Sequence, residues 1–204
     1  MPKVADPAVR MALIEHAARI TAEEGREALT LRRLTRAVGA STMAVYTHFG
    51  GMVELRREVR REGFARLAAH LAAVEETGDT VADLLALRDA YRRMAIGNPH
   101  LYRAMFMDGW VDEEDAGAGL ETYEPLLHHV SRCIAAGRFD DAVPHELARQ
   151  IWATLHGFVS LQIVGMMPPD DATTGLDSSS RNLFVAFGDS PAAVARSAIR
   201  ARSR

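Results

Sequence analysis

The chain of 204 residues contains one cysteine, Cys133. No disulfide can close within it, and a reducing compartment fits that usage. No apolar run approaches the roughly 20 residues that a membrane-spanning helix requires. The opening decapeptide, MPKVADPAVR, lacks the apolar core of a signal peptide. These absences lead us to expect a soluble, cytoplasmic protein without a membrane partner. Alternating β-branched runs are scarce, which argues against a sheet-based fold. No Gly-rich phosphate loop, nucleophile elbow or paired metal motif occurs, so nothing supports an enzyme, and no cofactor or metal is expected. His129 and Cys133 are four apart and could share a metal, but no CxxC or HxxxH pair accompanies them.

What the chain does have is Ala, Leu, Arg and Glu in helical periodicity. Its apolar content of 48% and charged content of 25% are ordinary for a globular protein long enough to bury a core. The net charge of -3 conceals an asymmetry. Residues 1–74 hold 12 Lys/Arg against 8 Asp/Glu, a local +4; the remaining 130 hold 12 against 19, a local -7. A basic end on an acidic body suggests that this end meets a polyanion.

Punctuation divides the chain into helices. Asp6-Pro7 opens the first, with Val9, Leu13, Ala17 and Ile20 on one face and a stop at Gly25. Thr30 caps LRRLTRAV, ended by Gly39. Ser41 caps TMAVYTHF, ended by Gly50-Gly51. A long helix runs from about Met52 to Val74, with Leu55, Val59, Leu67, Leu71 and Val74 along one side. Gly78-Asp79 breaks it. A helix bearing Leu84, Leu87, Tyr91 and Met94 follows, and Asn98-Pro99 starts another. A helix from about Leu120 to Ala136 is expected to kink at Glu124-Pro125. Pro144 opens a long apolar helix, 144–167, stopped by Pro168-Pro169. Residues 170–190, rich in Asp, Ser, Thr and Gly, read as a loop. Ser190-Pro191 caps a last, short helix. The expected class is all-α: a three-helix helix-turn-helix head, residues 1–51, joined by a long helix to a helical domain, residues 52–204.

The two short helices around Gly39 have helix-turn-helix proportions. Leu31, Leu34, Val38, Val45 and Phe49 are spaced to pack them on the first helix. Thr42, Met43, Tyr46, Thr47 and His48 then face outward on the second. A short helix of this kind can enter a major groove, with hydroxyls for phosphates or bases and a thioether for a thymine methyl. The plainer alternative is that Tyr46 and His48 only pack the small subdomain.

The stretches LTLRRLTRAVGAS and MAVYTHFGGMVEL resemble the DNA-binding domain of TetR-type transcriptional regulators over about residues 7 to 60. The tyrosine, the His-Phe pair two residues on and Leu55 six after the phenylalanine carry the likeness. The resemblance implies that Thr42, Met43, Tyr46 and Thr47 face double-stranded DNA. It implies phosphate contacts from Ser41, Tyr46 and His48, with Arg32 and Arg33 nearby. Two positions depart from the family pattern. Thr35 stands where alanine is usual, and Met52 where a phosphate-binding lysine is frequent, which shifts phosphate binding toward arginine.

The segments AYRRMAIGNPHLYRAMF and IWATLHGFVSLQ resemble a C-terminal domain type of the same family, named for its Trp and His-Gly residues (WHG), here Trp152, His156 and Gly157. The resemblance implies a ligand-binding domain and a homodimer built on late helices, for which helix 144–167 is the better interface. Candidate ligand contacts are Tyr91, Met94, Met105, Phe106, Trp110, Tyr123, Trp152 and His156, aromatics and flexible thioethers suited to a small apolar or amphipathic molecule. For any single one of them ordinary core at helical spacing is the plainer reading, and for His156 a satisfied core histidine. The expected function is a sequence-specific regulator, a repressor released by ligand; a DNA-binding or partner-binding helical module without ligand remains the alternative.

Overall fold

The fold is that of a computed structural model, which describes residues 6–107, 117 and 119–203. Among these residues every regular element is helical. Ten α-helices occur: α1 Pro7–Glu24, α2 Leu31–Val38, α3 Thr42–Phe49, α4 Met52–Ala72, α5 Thr80–Gly97, α6 Pro99–Phe106, α7 Glu124–Ala135, α8 Pro144–Ile163, α9 Pro169–Ala186 and α10 Pro191–Arg202. Six of them carry proline in the first turn, where its missing N–H costs no hydrogen bond. Side chains cap several starts. Asp6 Oδ1 accepts the Ala8 N–H at 2.9 Å, and Ser190 Oγ accepts the Ala193 N–H at 3.2 Å.

The helices gather into two compact units. The first is Met1–Arg66 with Asn98–Gly119, and the second is Leu67–Gly97 with Leu120–Arg204. In the first unit, α1 supplies Leu13, Ile14, Ala17, Ala18 and Ile20 to a core completed by Leu34, Val45, Phe49, Leu55, Val59, Leu101 and Ala104. Leu31 and Val38 are partly buried against it. Helix α6 is therefore part of this unit, although α5 precedes it by a single residue, Asn98.

In the second unit, α5 is the central helix. It buries Val81, Leu84, Leu85, Leu87, Ala90, Tyr91 and Met94 and packs against α7, α8 and α10. Helices α8 and α9 form a hairpin in which Gly175 admits the Phe158 ring: a Cβ at Gly175 would collide with Phe158 Cε1. Phe139 joins Phe184 and Phe187 at 5.4 and 5.5 Å between ring centroids.

Buried ion pairs fix the start of α5. Asp79 accepts from the Ala82 N–H, Ser197 Oγ, Arg138 and Arg200. Arg138 also grips Asp189 at 2.6 Å. Burial alone would push the Asp79 carboxyl up. The hydrogen bonds from Ser197, Ala82 and Arg200 and the charge of Arg138 outweigh it and hold the group below its ordinary value.

The structure corrects three sequence expectations. Residues 170–190 are not a loop, since Pro169–Ala186 is helical. Its buried residues Ala172, Leu176, Ser180 and Phe184 recur every four positions, and Asp170 and Asp171 complement the positive N-terminal end. This sparse buried face, with Gly175 fitted against Phe158, outweighs weak Ser and Thr propensities. The helix expected over 144–167 ends at Ile163, before the prolines, because Gly165 turns with φ 78°. Glu124-Pro125 does not kink a helix; it starts α7.

Candidate nucleic-acid interface

Thr30 Oγ1 accepts the Arg33 N–H at 3.3 Å and opens α2. At the other end Gly39 adopts φ 72°, a left-handed turn that a Cβ would strain. The Ala40 N–H then reaches the Thr35 carbonyl at 3.0 Å, which closes α2 and aims the chain into α3. Thr35 is buried, and its hydroxyl donates to the Leu31 carbonyl at 2.9 Å, so the departure from alanine leaves no polar group unsatisfied.

Ser41 starts α3 from an extended backbone, but its hydroxyl makes no capping bond. It is exposed and stands beside the α3 N-terminus, where backbone N–H groups and the helix dipole favour an anion. Val45 and Phe49 anchor α3 in the core of the first unit. The opposite face presents Thr42, Met43, Tyr46 and Thr47 to solvent, with Met43 65% and Tyr46 52% exposed. His48 is half-buried, its ring 5.9 Å from Phe49, and stands at the margin of this face.

The arginines differ among themselves. Arg32 is exposed and forms no ion pair among the described residues. Arg33 is held by Glu24, with Nη2–Oε1 at 2.6 Å and Nε–Oε2 at 3.4 Å. Arg36, which sequence reasoning missed, is exposed and one turn from Arg32. Its spacing of four was the available signal. Met52 packs against the head's core, which accounts for an apolar residue there. Arg10 pairs with Glu58 and lies over the Phe49 ring, so its charge serves the head internally.

The sensing candidates are divided between the units. Tyr91, Met94, Tyr123, Trp152 and His156 are in the second. Tyr91 Oη and His156 Nδ1 are hydrogen-bonded at 3.3 Å, and Trp152 stacks on His156 at 5.2 Å. Burial lowers the His156 pKa and keeps the ring neutral near pH 7. Trp152 is 37% exposed and Met94 fully buried. Tyr123 stacks on His145, and its hydroxyl donates to the His145 carbonyl at 3.4 Å. Met105 and Phe106 are in the first unit, where Phe106 packs on Tyr102 and Phe64 at 5.0 and 5.6 Å. Trp110 lies outside the described residues.

An open groove of about 680 Å³ runs between α8 and α9, lined by Gly157, Phe158, Leu161, Met167, Leu183 and Ala186 among others. No atom stands within 4 Å of a Cβ built on Gly157.

Residues 13–59 match the family of bacterial regulatory proteins called the tetR family, and residues 84–183 match its tetracyclin repressor-like C-terminal domain. The HTH-type transcriptional repressor AcnR of Corynebacterium diphtheriae is 31% identical over 160 residues, 74% of this chain and 79% of the relative. The chain belongs to the TetR family. Another relative, the uncharacterized HTH-type transcriptional regulator Rv0681 of Mycobacterium tuberculosis, is 28% identical over 88% of this chain and 80% of its own. The TetR family transcriptional regulator PfmR of Thermus thermophilus shares the fold with a TM-score of 0.72 at 21% identity, covering 87% of this chain and 99% of that one.

As a TetR-family member, the chain is a DNA-binding transcriptional regulator and not an enzyme. His129 Nδ1 bonds the Pro125 carbonyl at 2.9 Å, and burial pushes the Cys133 thiol up to about 11. Among the described residues no three His, Cys, Asp or Glu side chains converge on a metal position. None of the described helices is long and apolar enough to cross a membrane.

Proposed function

We propose that this TetR-family chain is a cytoplasmic repressor that binds a near-palindromic operator as a homodimer and is released by a small apolar or amphipathic ligand. The observation that carries the DNA-reading part is the solvent-facing set Thr42, Met43, Tyr46 and Thr47, opposed by buried Val45 and Phe49 on the same two-turn helix. Residues 1–51 then act as the DNA-binding domain and residues 52–204 as the ligand-binding and dimerisation domain, with the start of α4 and α6 also completing the head's core. Thr42, Met43, Tyr46 and Thr47 meet base edges. Ser41, Tyr46, His48, Arg32 and Arg33 meet phosphates, and Arg36 joins them from the exposed face of α2. Arg33 must exchange Glu24 for a phosphate, which makes its net contribution smaller than that of Arg32.

The groove between α8 and α9 supports a second copy as its occupant. It is apolar and open, and the empty space over Gly157 suits the close approach of another backbone. A two-fold pair of heads would present α3 helices to successive major grooves ~34–36 Å apart. Tyr91, Met94, Tyr123, Trp152 and His156, all in the second unit, are the proposed ligand contacts. A ligand that prefers another separation of the two heads depopulates the operator-binding state by its differential affinity. The relatives named as repressors favour repression over activation.

Selection of genomic DNA fragments by the purified protein, with Tyr46→Ala as control, tests the reading. A recurring near-palindrome that the variant does not recover is the expected result. Fragments with no shared motif, or equal recovery by the variant, overturn it.

A further inference from the structure

We propose that Arg66 is a positioning residue for the DNA-reading head, tying together the two points at which the backbone leaves and re-enters the first compact unit. The inference rests on the DNA-reading function proposed above.

Arg66 is the last residue of α4 within the first unit, and Asn98 is the first residue after the chain's passage through Leu67–Gly97. The two side chains are bonded to each other, Arg66 Nη1 donating to Asn98 Oδ1 at 2.7 Å. The same guanidinium donates through Nε to Glu62 Oε1 at 2.7 Å and through Nη2 to Glu15 Oε1 at 2.9 Å, with Met11 Sδ at 3.4 Å. One side chain thus joins α1, α4 and the first turn of α6. Desolvation by burial would weaken its charge, but the Glu15 and Glu62 carboxylates more than offset this and hold the guanidinium protonated.

The Asn98 amide is committed to Arg66 and does not cap α6. Asn is a favoured capping residue, and here its side-chain oxygen serves Arg66 instead of an α6 N–H. Helix α6 has further ties to α1. Arg103 Nη1 donates to the Ala22 carbonyl at 3.0 Å, and His100 Nε2 lies 3.5 Å from Glu23. Leu101 and Ala104 enter the head's core. Helix α1 in turn carries α2 and α3 through that same core. A shift at the α5–α6 junction is therefore delivered to α1 beside Arg66, and the reading helix moves with it. Without Arg66 the end of α4 and the start of α6 lose this direct tie and rely on their packing in the head's core and on the remaining bonds of α6 to α1.

The distinguishing property is sensitivity to half-site spacing, which a merely destabilised head would not alter. The probe is the operator recovered by selection, together with the same half-sites moved apart by one base pair and an isolated half-site. Fluorescence anisotropy reads the affinities, and circular dichroism reads the melts. One inserted base pair adds ~3.4 Å and ~35° between half-sites, and forcing DNA or protein to absorb it should cost the native chain on the order of tenfold or more.

Arg66→Met should reduce that ratio several-fold and leave half-site affinity near the native value. Arg66→Lys, which keeps the charge but not the fork, should fall between. Asn98→Ala should move the ratio the same way by a smaller factor, and it decides the matter alone should Arg66→Met not fold. A native spacing ratio in both Arg66→Met and Asn98→Ala overturns the proposal and leaves Arg66 a stabilising residue only. A native chain indifferent to spacing overturns it too. If no operator is recovered, or Tyr46→Ala binds as the native chain does, the DNA-reading function itself has failed and this inference falls with it.

Discussion

Replacing Tyr46 separates the reading face from the fold. The side chain is 52% exposed, and its hydroxyl has no hydrogen-bond partner among the described residues. Truncation to alanine therefore removes mainly solvent-facing surface, and alanine's better helix propensity returns a few tenths of a kcal/mol. The net effect on stability should stay within ~0.5–1 kcal/mol, as for other surface substitutions. On DNA the arithmetic differs. A hydroxyl bonded to a charged phosphate contributes ~1.5–3 kcal/mol. Two heads double this to ~3–6 kcal/mol, a loss of about 10²- to 10⁴-fold in operator affinity. Tyr46 is uncharged, so the slope of log affinity against log salt should be unchanged. Arg32→Ala should instead make the slope shallower by about 2 for a dimer, near 0.9 per lost phosphate contact. Anisotropy titrations between ~50 and ~200 mM salt and parallel melts read both quantities. A loss of affinity below about threefold, or a melting shift beyond about 5 °C, would refute the assignment, because either exceeds what these contacts allow.

Other residues carry independent expectations. Arg138→Met removes the cation between buried Asp79 and Asp189 and should cost ~3 kcal/mol, the low end for a broken buried pair because Arg138 is partly exposed; calorimetry should show the transition of the second unit near 10 °C lower. The depressed Asp79 pKa makes its stabilisation fully present above its ordinary value of 3.8 and lost as pH falls through the lower folded value, so the native chain should destabilise at acid pH; an acid melt as stable as that at pH 7 would contradict this. His156 is held neutral, so its contribution is present above pH 6.5 and declines as pH falls further; in a Trp110→Phe background, quenching of Trp152 by the imidazolium should begin below 6.5, and a step at or above 6.5 would mean that burial does not govern the ring. Glu24→Gln frees Arg33 from an exposed ion pair, so stability should change by under ~1 kcal/mol while operator binding tightens and its salt slope steepens; an unchanged slope would mean that Arg33 does not reach phosphate.

Much of the fold is legible because its signals are local. Thr30, Gly39, Gly50 and the opening prolines mark helix ends through the conformation of one or two residues, and the structure keeps every one of these boundaries. The stretch 170–190 misleads because its composition speaks of loops while its apolar face is sparse. Only Ala172, Leu176, Ser180 and Phe184 turn inward, and two of those four are small. What decides the matter is the neighbour: α8 offers Phe158 to Gly175, and that pairing lies 17 positions apart in the chain. Likewise, nothing in LRRLTRAV shows that Glu24 reaches Arg33, since the contact depends on how the turn at Gly25 folds back.

The grouping of the sensing candidates is beyond the sequence for a further reason. Helical periodicity says that a residue has a buried side but not which helices bury it. Met94 and Met105 look alike in spacing and chemistry, yet α5 joins the second unit and α6, one residue later, joins the first. The break falls at Asn98-Pro99, which the sequence reads only as a helix start. Proline removes the N–H that would continue α5, and Asn98 gives its side chain to Arg66 rather than to α6. Under the proposed mechanism this arrangement matters more than the length of α4. A ligand held near Tyr91 and His156 acts on α5, the end of α5 is covalently the start of α6, and α6 is already built into the head that reads DNA.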